Sequence, residues 1–96
     1  MKQLIENRAS KQAKEIFNNS YLEIVDHFDE ETNELLIELG RNEIKKERVI
    51  DELSDVCYMI NQIADFFNTD YKSLLKNAMI KNEKKRDVFY CRTKIN

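Results

Sequence analysis

The sequence contains no proline, no tryptophan and a single glycine, Gly40. Sandwiches and barrels join many short strands through turns rich in glycine and proline, so these absences exclude an all-β architecture. A chain of 96 residues forms one domain, residues 1–96, with a marginal core. We therefore expect an all-α subunit resembling a four-helix antiparallel bundle, whose core is completed by oligomerisation into a homodimer or homotetramer.

Cysteine and histidine are also scarce. The two cysteines, Cys57 and Cys91, and the one histidine, His27, match no spacing of a Cys/His zinc site. Cys57 lies in an apolar helical stretch, where we expect a small core residue and a reduced, cytoplasmic protein. The N-terminus carries charges throughout and no stretch approaches membrane-spanning length, so we expect no leader peptide and no membrane contact.

The apolar spacing predicts four helices, over residues 2–17, 21–39, 43–67 and 71–86. Ser20 and Glu23 form a capping box before the second helix, and Gly40 is a suitable residue to end it. The stripe of the third helix fits antiparallel packing on the second. Residues 21–86 are the expected core of the domain, and residues 87–96 a tail or an arm on a partner subunit.

The small net charge of −2 hides a segregation of charge. Residues 23–55 contain twelve acids and four bases, whereas residues 72–96 contain eight bases and two acids. An acidic middle with a basic tail fits a site that holds both a metal and an anion. The same charges also fit a solvated face, or a tail that packs on the acids.

Four carboxylates form two helical pairs, Glu31 with Glu34 and Glu52 with Asp55. Each pair is spaced i,i+3 on one helix face, where like charges destabilise a helix by a few tenths of a kcal/mol. On a helical wheel Glu31 lies only about 60° from the apolar Phe28. An uncompensated charge facing a core costs several kcal/mol, so the pattern predicts a bound cation.

Hairpin geometry places the two pairs at the same height. Glu31 lies nine residues before Gly40 and Glu52 twelve after it, and side chains lean towards the N-terminus of their own helix. In antiparallel neighbours this lean makes the four carboxylates converge between the helices. A convergent all-oxygen site suits Mg²⁺, or Mn²⁺, with waters or phosphate oxygens as further ligands.

The motif Glu30-Glu31-x-x-Glu34, followed after seventeen residues by Glu52-x-x-Asp55, resembles the EExxE…ExxD signature of the MazG-like, all-α nucleoside triphosphate pyrophosphohydrolases. The stretches EETNELLIEL and RVIDELSDVCYMI look like the two central helices of that family, and the resemblance covers residues 21–86. It implies Mg²⁺-dependent hydrolysis of an NTP or dNTP to the monophosphate and pyrophosphate, as in the house-cleaning of nucleotide pools.

The resemblance also implies roles for individual residues. Four acids match the metal-binding positions, namely Glu31, Glu34, Glu52 and Asp55. Glu30 and Glu34 are the candidate catalytic residues, Glu30 by orienting or deprotonating the attacking water. The basic residues expected to face the β- and γ-phosphates are Lys81, Lys84, Lys85 and Arg86. Tyr21 and His27 are the candidate base-binding residues, although aromatic residues in these helices also suit a core.

Other functions remain open on the sequence alone. A non-catalytic helical interaction module, similar to an antitoxin, would use the acidic faces only for solvation. A nucleic-acid binder would use the basic tail, but the acidic middle repels phosphate in the absence of a metal. Within the family, the glycine-bearing stretch expected ahead of the double glutamate in phosphoribosyl-ATP pyrophosphatases is missing, and Asp29 stands there. The dUTP- and dCTP-directed branches both remain open.

Overall fold

A computed structural model describes the backbone of residues 4–95 and the side chains of residues 4–86. The chain forms four helices, α1 (Leu4–Ile16), α2 (Tyr21–Leu39), α3 (Lys46–Phe66) and α4 (Tyr71–Ile95). Residues 4–95 contain no strand, which confirms the all-α class and the number of helices. In this part of the chain, no helix combines the length and the apolar character that crossing a membrane requires.

Local signals explain where α2 begins and ends. The Ser20 hydroxyl accepts a hydrogen bond from the Glu23 amide at 3.3 Å, and the Glu23 carboxylate accepts one from the Ser20 amide at 3.2 Å. This is the predicted capping box, which satisfies two backbone donors at the start of the helix. At the other end, the Gly40 amide donates to the Leu36 carbonyl at 3.0 Å. The predicted bounds of α2 are therefore confirmed.

The other two boundaries of interest are those of α3 and α4. α3 begins at Lys46 and not at Glu43, and its N-cap residue, Lys45, makes no side-chain capping hydrogen bond. α4 begins as predicted, where the Asp70 carboxylate accepts from the Ser73 amide at 2.9 Å. Its backbone continues as a helix to Ile95, nine residues beyond the predicted end. The predicted interactions of a tail or arm at 87–96 lie outside the described side chains.

α2 and α3 pack against each other as an antiparallel hairpin and form the largest interface of the chain. Arg48, near the start of α3, contacts Glu38, near the end of α2. At the opposite end, the ring of Phe66 lies 5.5 Å from that of Tyr21. These contacts confirm the antiparallel pairing and set its register, in which positions 38 and 48, and likewise 31 and 55, lie opposite one another.

α1 lies across α3 and is attached to it by polar contacts. The Asn61 side-chain amide donates to the Glu6 carbonyl at 3.2 Å and to the Ser10 hydroxyl at 3.1 Å. Asn61 and Ser10 are both buried, so these bonds fix the register of α1 where water is excluded.

α4 departs from the other three helices. It makes only a small contact with α3, and its side chains from 71 to 86 are all exposed except the half-buried Ala78. The radius of gyration is 17.1 Å, compared with about 12 Å for a compact domain of this length. The described part of α4 is therefore an uncovered helix.

The interior of a single chain is small. Among residues 4–86 the buried apolar residues are Ala13, Ile24, Val56, Met59 and Ala64, and no large side chain is fully buried. Several large apolar side chains on helix faces are exposed, namely Leu36, Leu39, Leu53, Phe67, Leu74, Leu75 and Met79. The prediction of Cys57 as a core residue is wrong, because this thiol is exposed. These faces have no covering layer within the described chain.

Candidate metal centre

Three of the four predicted metal ligands come together between α2 and α3. Glu31 of α2 and Glu52 and Asp55 of α3 each offer one carboxylate oxygen, and these three oxygens all lie within 4.8 Å of one another. The spacing of Glu52 and Asp55 puts both on the α2-facing side of α3, and the antiparallel register places Glu31 opposite them. The approach of Glu31 to Glu52 and Asp55 therefore joins residues more than 20 positions apart in sequence.

Glu34 is exposed, but it is electrostatically part of the same group. Burial, and then the charges of Glu34 and Asp55, raise the pKa of Glu31. Burial and the charge of Glu34 likewise raise the pKa of Glu52. We refer to Glu31, Glu34, Glu52 and Asp55 as the carboxylate cluster. Burial and the neighbouring carboxylates thus both disfavour the charged forms of Glu31 and Glu52.

Two oxygens of the carboxylate cluster are buried without a partner. Glu31 Oε2 and Glu52 Oε2 have no hydrogen-bond partner among residues 4–86. Glu31 Oε1 lies 3.3 Å from His27 Nε2. A buried acceptor without a donor is costly, and few occur in native structures. Oxygen ligands that converge with excess negative charge fit a hard divalent cation such as Mg²⁺ or Mn²⁺, with water at the remaining positions.

A second acidic group lies one turn further along α2 and is neutralised by the protein. Glu38 Oε2 accepts a hydrogen bond from Arg41 Nε at 2.7 Å, and Glu38 Oε1 lies 3.9 Å from Arg48. The hydrogen bond from Arg41, together with the charges of Arg41, Arg48 and Lys45, lowers the pKa of Glu38. We refer to Glu38, Arg41 and Arg48 as the arginine cluster.

The sequence analysis missed the arginine cluster. Arg48 lies four residues before Glu52, on the same face of α3, and Glu38 lies four residues after Glu34 on α2. These i,i+4 spacings could have predicted the arginine cluster, because residues four apart lie on the same helix face. They place positive charge next to the carboxylate cluster, on the side nearer the α2–α3 turn.

The predicted phosphate-binding residues lie elsewhere. Lys81, Lys84, Lys85 and Arg86 are exposed on α4, and Arg86 contacts Glu83 of its own helix at 2.6 Å. In the described part of the chain none of the four forms an ion pair with the carboxylate cluster, because α4 departs from α3. Glu30, the predicted catalytic residue, is exposed beside Glu31.

The two predicted base-binding residues are separated by the structure. His27 lies beside the carboxylate cluster through its contact with Glu31, and its ring centroid is 6.2 Å from that of Phe17. Tyr21 packs edge-on against Phe66 at the far end of the hairpin, ten residues or about 15 Å along α2 from Glu31. Only His27 is therefore close to the candidate metal centre.

Comparisons with known proteins add no relative. The sequence matches no known family model, and no curated protein or solved structure is significantly similar to the chain.

Proposed function

We propose that this chain is a Mg²⁺-dependent nucleotide pyrophosphohydrolase of the MazG-like superfamily. It would convert an NTP or dNTP to the monophosphate and pyrophosphate, with Mn²⁺ as an alternative metal. The proposal extends to a cytoplasmic homodimer or homotetramer that removes unwanted nucleotides. The observation that carries it is the convergence of Glu31, Glu52 and Asp55 within 4.8 Å, with partnerless buried oxygens on two of them.

The carboxylate cluster supplies the groups that this chemistry requires. Glu31, Glu52 and Asp55 would hold the cation, and Glu34 adds a fourth carboxylate from the exposed side. A bound divalent cation neutralises charge on phosphate oxygens and lowers the pKa of coordinated water. Glu30 is exposed next to Glu31 and is the residue that we assign to orient or deprotonate the attacking water. His27 would hold Glu31 in position through their 3.3 Å contact.

The arginine cluster is the best-placed source of positive charge within one chain. Arg41, Lys45 and Arg48 all act on Glu38. These bases line a shallow cavity of about 490 Å³ at the α2–α3 turn together with one acid, Glu43. Three bases against the two acids leave a surplus of one positive charge. We assign Arg41 and Arg48 to the phosphates distant from the cleaved bond, since guanidinium groups pair well with phosphate oxygens.

Pyrophosphate release tests this function. The purified chain is assayed against a panel of NTPs and dNTPs with Mg²⁺ and with Mn²⁺. We expect release from at least one nucleotide, and a fall in kcat of at least about 100-fold for Glu34→Gln and Asp55→Asn, as is typical when a group that stabilises transition-state charge is removed. Asp26→Asn is the matched control. It removes an exposed acid of the same helix, α2, and should retain activity.

Circular dichroism of each variant shows whether the helices persist. Absence of pyrophosphate release across the whole panel with either metal would overturn the proposal, as would full activity in both carboxylate variants.

A non-catalytic interaction module is the second candidate function. The observation in its favour is the large amount of exposed apolar surface, including Leu4 at 75% and Leu22 at 73% exposure, since such patches often mark interaction sites. In that case the carboxylate cluster would be dispensable, and saturating Mg²⁺ would leave the Tm unchanged.

A further inference from the structure

Glu38 lies beneath two arginines at the turn end of the α2–α3 hairpin. Its side chain is 11% exposed, whereas those of Arg41 and Arg48 are 46% and 57% exposed. The carboxylate is therefore covered, and the guanidinium groups extend from it towards solvent. A ligand that approaches this end of the hairpin meets the arginines and not the acid.

Most N–H donors of the two guanidinium groups remain available to a ligand, since each group carries five. Arg41 uses its Nε for the 2.7 Å hydrogen bond to Glu38, which leaves its two terminal nitrogens for other acceptors. Arg48 Nη1 lies 3.9 Å from Glu38 Oε1, beyond hydrogen-bonding distance. Glu38 thus fixes the orientation of Arg41 through Nε and leaves free the pair of nitrogens that can bind phosphate oxygens.

The cavity of about 490 Å³ beside these arginines is suited to an anion. Its lining contains no large apolar side chain and consists of Gly40, Arg41, Asn42, Glu43, Lys45 and Arg48. α3 begins here without a side-chain cap, and the first amides of a helix are unpaired donors that favour negative charge. Basic side chains and helix amides together favour a phosphate group over a sugar or a base.

The arginine cluster lies one helical turn from the carboxylate cluster. Arg48 precedes Glu52 by four residues, which corresponds to about 6 Å along the helix axis. The proposed reaction holds the α-phosphate at the carboxylate cluster. The terminal phosphate of a triphosphate, two P–O–P links away, can extend over this distance towards the turn. A diphosphate has one link fewer and ends nearer the metal.

We propose that Glu38 is a positioning residue that aims Arg41 at the terminal phosphate of the substrate, so that the arginine cluster selects triphosphates over diphosphates. The inference rests on the proposed hydrolase function, which places the α-phosphate at the carboxylate cluster. A diphosphate held there leaves the arginine cluster without a ligand. Selection by the number of phosphates then comes from the α2–α3 hairpin and does not depend on the base.

Orientation and competition by Glu38 predict opposite effects on binding. A carboxylate that competed with phosphate for the arginines would weaken binding of the substrate, and its removal would lower KM. A carboxylate that orients Arg41 strengthens binding, and its removal raises KM. The geometry points to orientation, because the only guanidinium nitrogen within hydrogen-bonding distance of Glu38 among residues 4–86 is Arg41 Nε.

Isothermal titration calorimetry with inorganic polyphosphates tests the arginine cluster independently of nucleotide hydrolysis. Pyrophosphate and tripolyphosphate are each titrated at saturating Mg²⁺. We expect the wild type to bind tripolyphosphate at least about 10-fold more tightly, because a further phosphate gains charge-assisted hydrogen bonds. In the double variant Arg41→Gln/Arg48→Gln the two affinities should agree within about 3-fold. Arg8→Gln removes an exposed arginine of α1 and is the matched control, which should keep the wild-type ratio.

Steady-state kinetics separates orientation by Glu38 from a purely structural role. With the triphosphate that the release assay identifies, Glu38→Leu should raise KM at least about 10-fold and change kcat less than about 3-fold. The inhibition constant of the matching diphosphate should stay the same. Glu38→Gln keeps an oxygen acceptor for Arg41 Nε and should raise KM less. A purely structural role would shift the constants of the triphosphate and the diphosphate together.

Three results would overturn the proposal. The first is a wild type that binds tripolyphosphate and pyrophosphate with equal affinity. The second is a wild-type ratio in the double variant, or in Arg48→Gln alone if the double variant loses its helical circular dichroism. The third is a lower KM for Glu38→Leu, which would show competition. A chain that shows the calorimetric ratio but releases no pyrophosphate would support the arginine site and overturn the hydrolase function alone.

Discussion

Glu31 and Glu38 lie on the same face of α2, seven residues apart, and are almost equally buried, with side-chain exposures of 15% and 11%. Their pKa values nevertheless shift in opposite directions, upward for Glu31 and downward for Glu38. Equal burial therefore does not decide the state of a carboxylate in this hairpin. Burial raises the pKa of both, and the hydrogen bond and charges of the arginines outweigh it at Glu38, whereas the neighbouring acids add to it at Glu31.

The difference separates a structural acid from an acid available for a ligand. Arg41 donates a hydrogen bond to one oxygen of Glu38 and Arg48 lies 3.9 Å from the other, so the charge of that carboxylate is already compensated. In the carboxylate cluster, Glu31 and Glu52 each keep a buried oxygen without a partner. We infer that the arginines supply the counter-ions of Glu38 beside the α2–α3 turn. The carboxylate cluster, four residues further along the helices, requires a cation from solution.

The largest expected effect comes from placing a positively charged side chain in the carboxylate cluster. At 100 times its dissociation constant, Mg²⁺ should stabilise the wild type by about 2.7 kcal/mol. Glu34→Lys should abolish this stabilisation and raise the Tm of the metal-free protein. The lysine would compensate the negative charge of the cluster, as Arg41 compensates that of Glu38. Differential scanning calorimetry with and without Mg²⁺, and Mn²⁺ titration calorimetry, measure both effects.

Asp26→Lys is the matched control for Glu34→Lys, since it makes the same change of charge at an exposed position of α2. It should leave the metal-dependent rise in Tm in place. A Glu34→Lys protein that still binds Mn²⁺ with wild-type affinity would contradict the assignment of the cluster as a metal centre.

The next effect comes from removing the counter-ions of Glu38. Arg41→Met with Arg48→Met leaves a carboxylate uncompensated in the α2–α3 seam, so we expect a lower Tm. Adding Glu38→Leu to this double variant should recover much of the loss, because the cost of breaking an ion pair is largely that of the charge left alone. Thermal unfolding followed by circular dichroism measures all three proteins.

Arg86→Met provides the comparison for the arginine cluster. Arg86 pairs with Glu83 on the surface, with side-chain exposures of 73% and 60%, and such pairs contribute at most about 1 kcal/mol. An equal fall in Tm for Arg86→Met and for the double arginine variant would remove the distinction between these ion pairs.

The smallest expected effect is the pH dependence of stability. The pKa values of Glu31 and Glu52 are raised from 4.5, so the folded state binds protons more tightly than the unfolded state. The metal-free protein should then lose stability as the pH rises through the raised pKa values, and regain it on acidification towards 4.5. Glu38 has a lowered pKa and acts in the opposite sense. The stability that it contributes is lost as the pH falls below 4.5.

Urea unfolding between pH 4 and pH 8, with thermal unfolding at pH 7, separates these contributions. Glu31→Gln should flatten the upper part of the profile and raise the Tm of the metal-free protein at pH 7 by about 1–3 °C. Saturating Mg²⁺ should reverse the slope, because the metal binds the deprotonated carboxylates. A metal-free profile that rises steadily from pH 5 to pH 8 would contradict the raised pKa values.

Sequence patterns predicted those features that depend on one helix or on one hairpin. Ser20, Glu23 and Gly40 define α2 through contacts within four residues, and these contacts are as predicted. The wheel position of Glu31 follows from 3.6 residues per turn and agrees with its low exposure. The approach of Glu31 to Asp55 needs only the antiparallel register that the apolar stripes of α2 and α3 impose.

Features that depend on the relation of more distant elements could not be predicted in this way. The stripe at Leu74 and Met79 shows that α4 has a face to bury, but periodicity does not specify which surface covers it. The placement of Lys81–Arg86 near the phosphates assumed that α4 packs along its own α3. Tyr21 and His27 looked equivalent as base-binding residues, and only the height of each along the hairpin separates them.

The register of the α2–α3 hairpin has a consequence for tolerance to insertion. The carboxylate and arginine clusters sit on the same two helices, at consecutive heights above a single turn at residues 40–45. One residue inserted within either helix between its clusters would rotate one cluster by about 100° relative to the other. Residues added to the turn would rotate neither. Chains that carry this pair of clusters are therefore free to differ in the length of the turn but not in the helix segments that join the clusters.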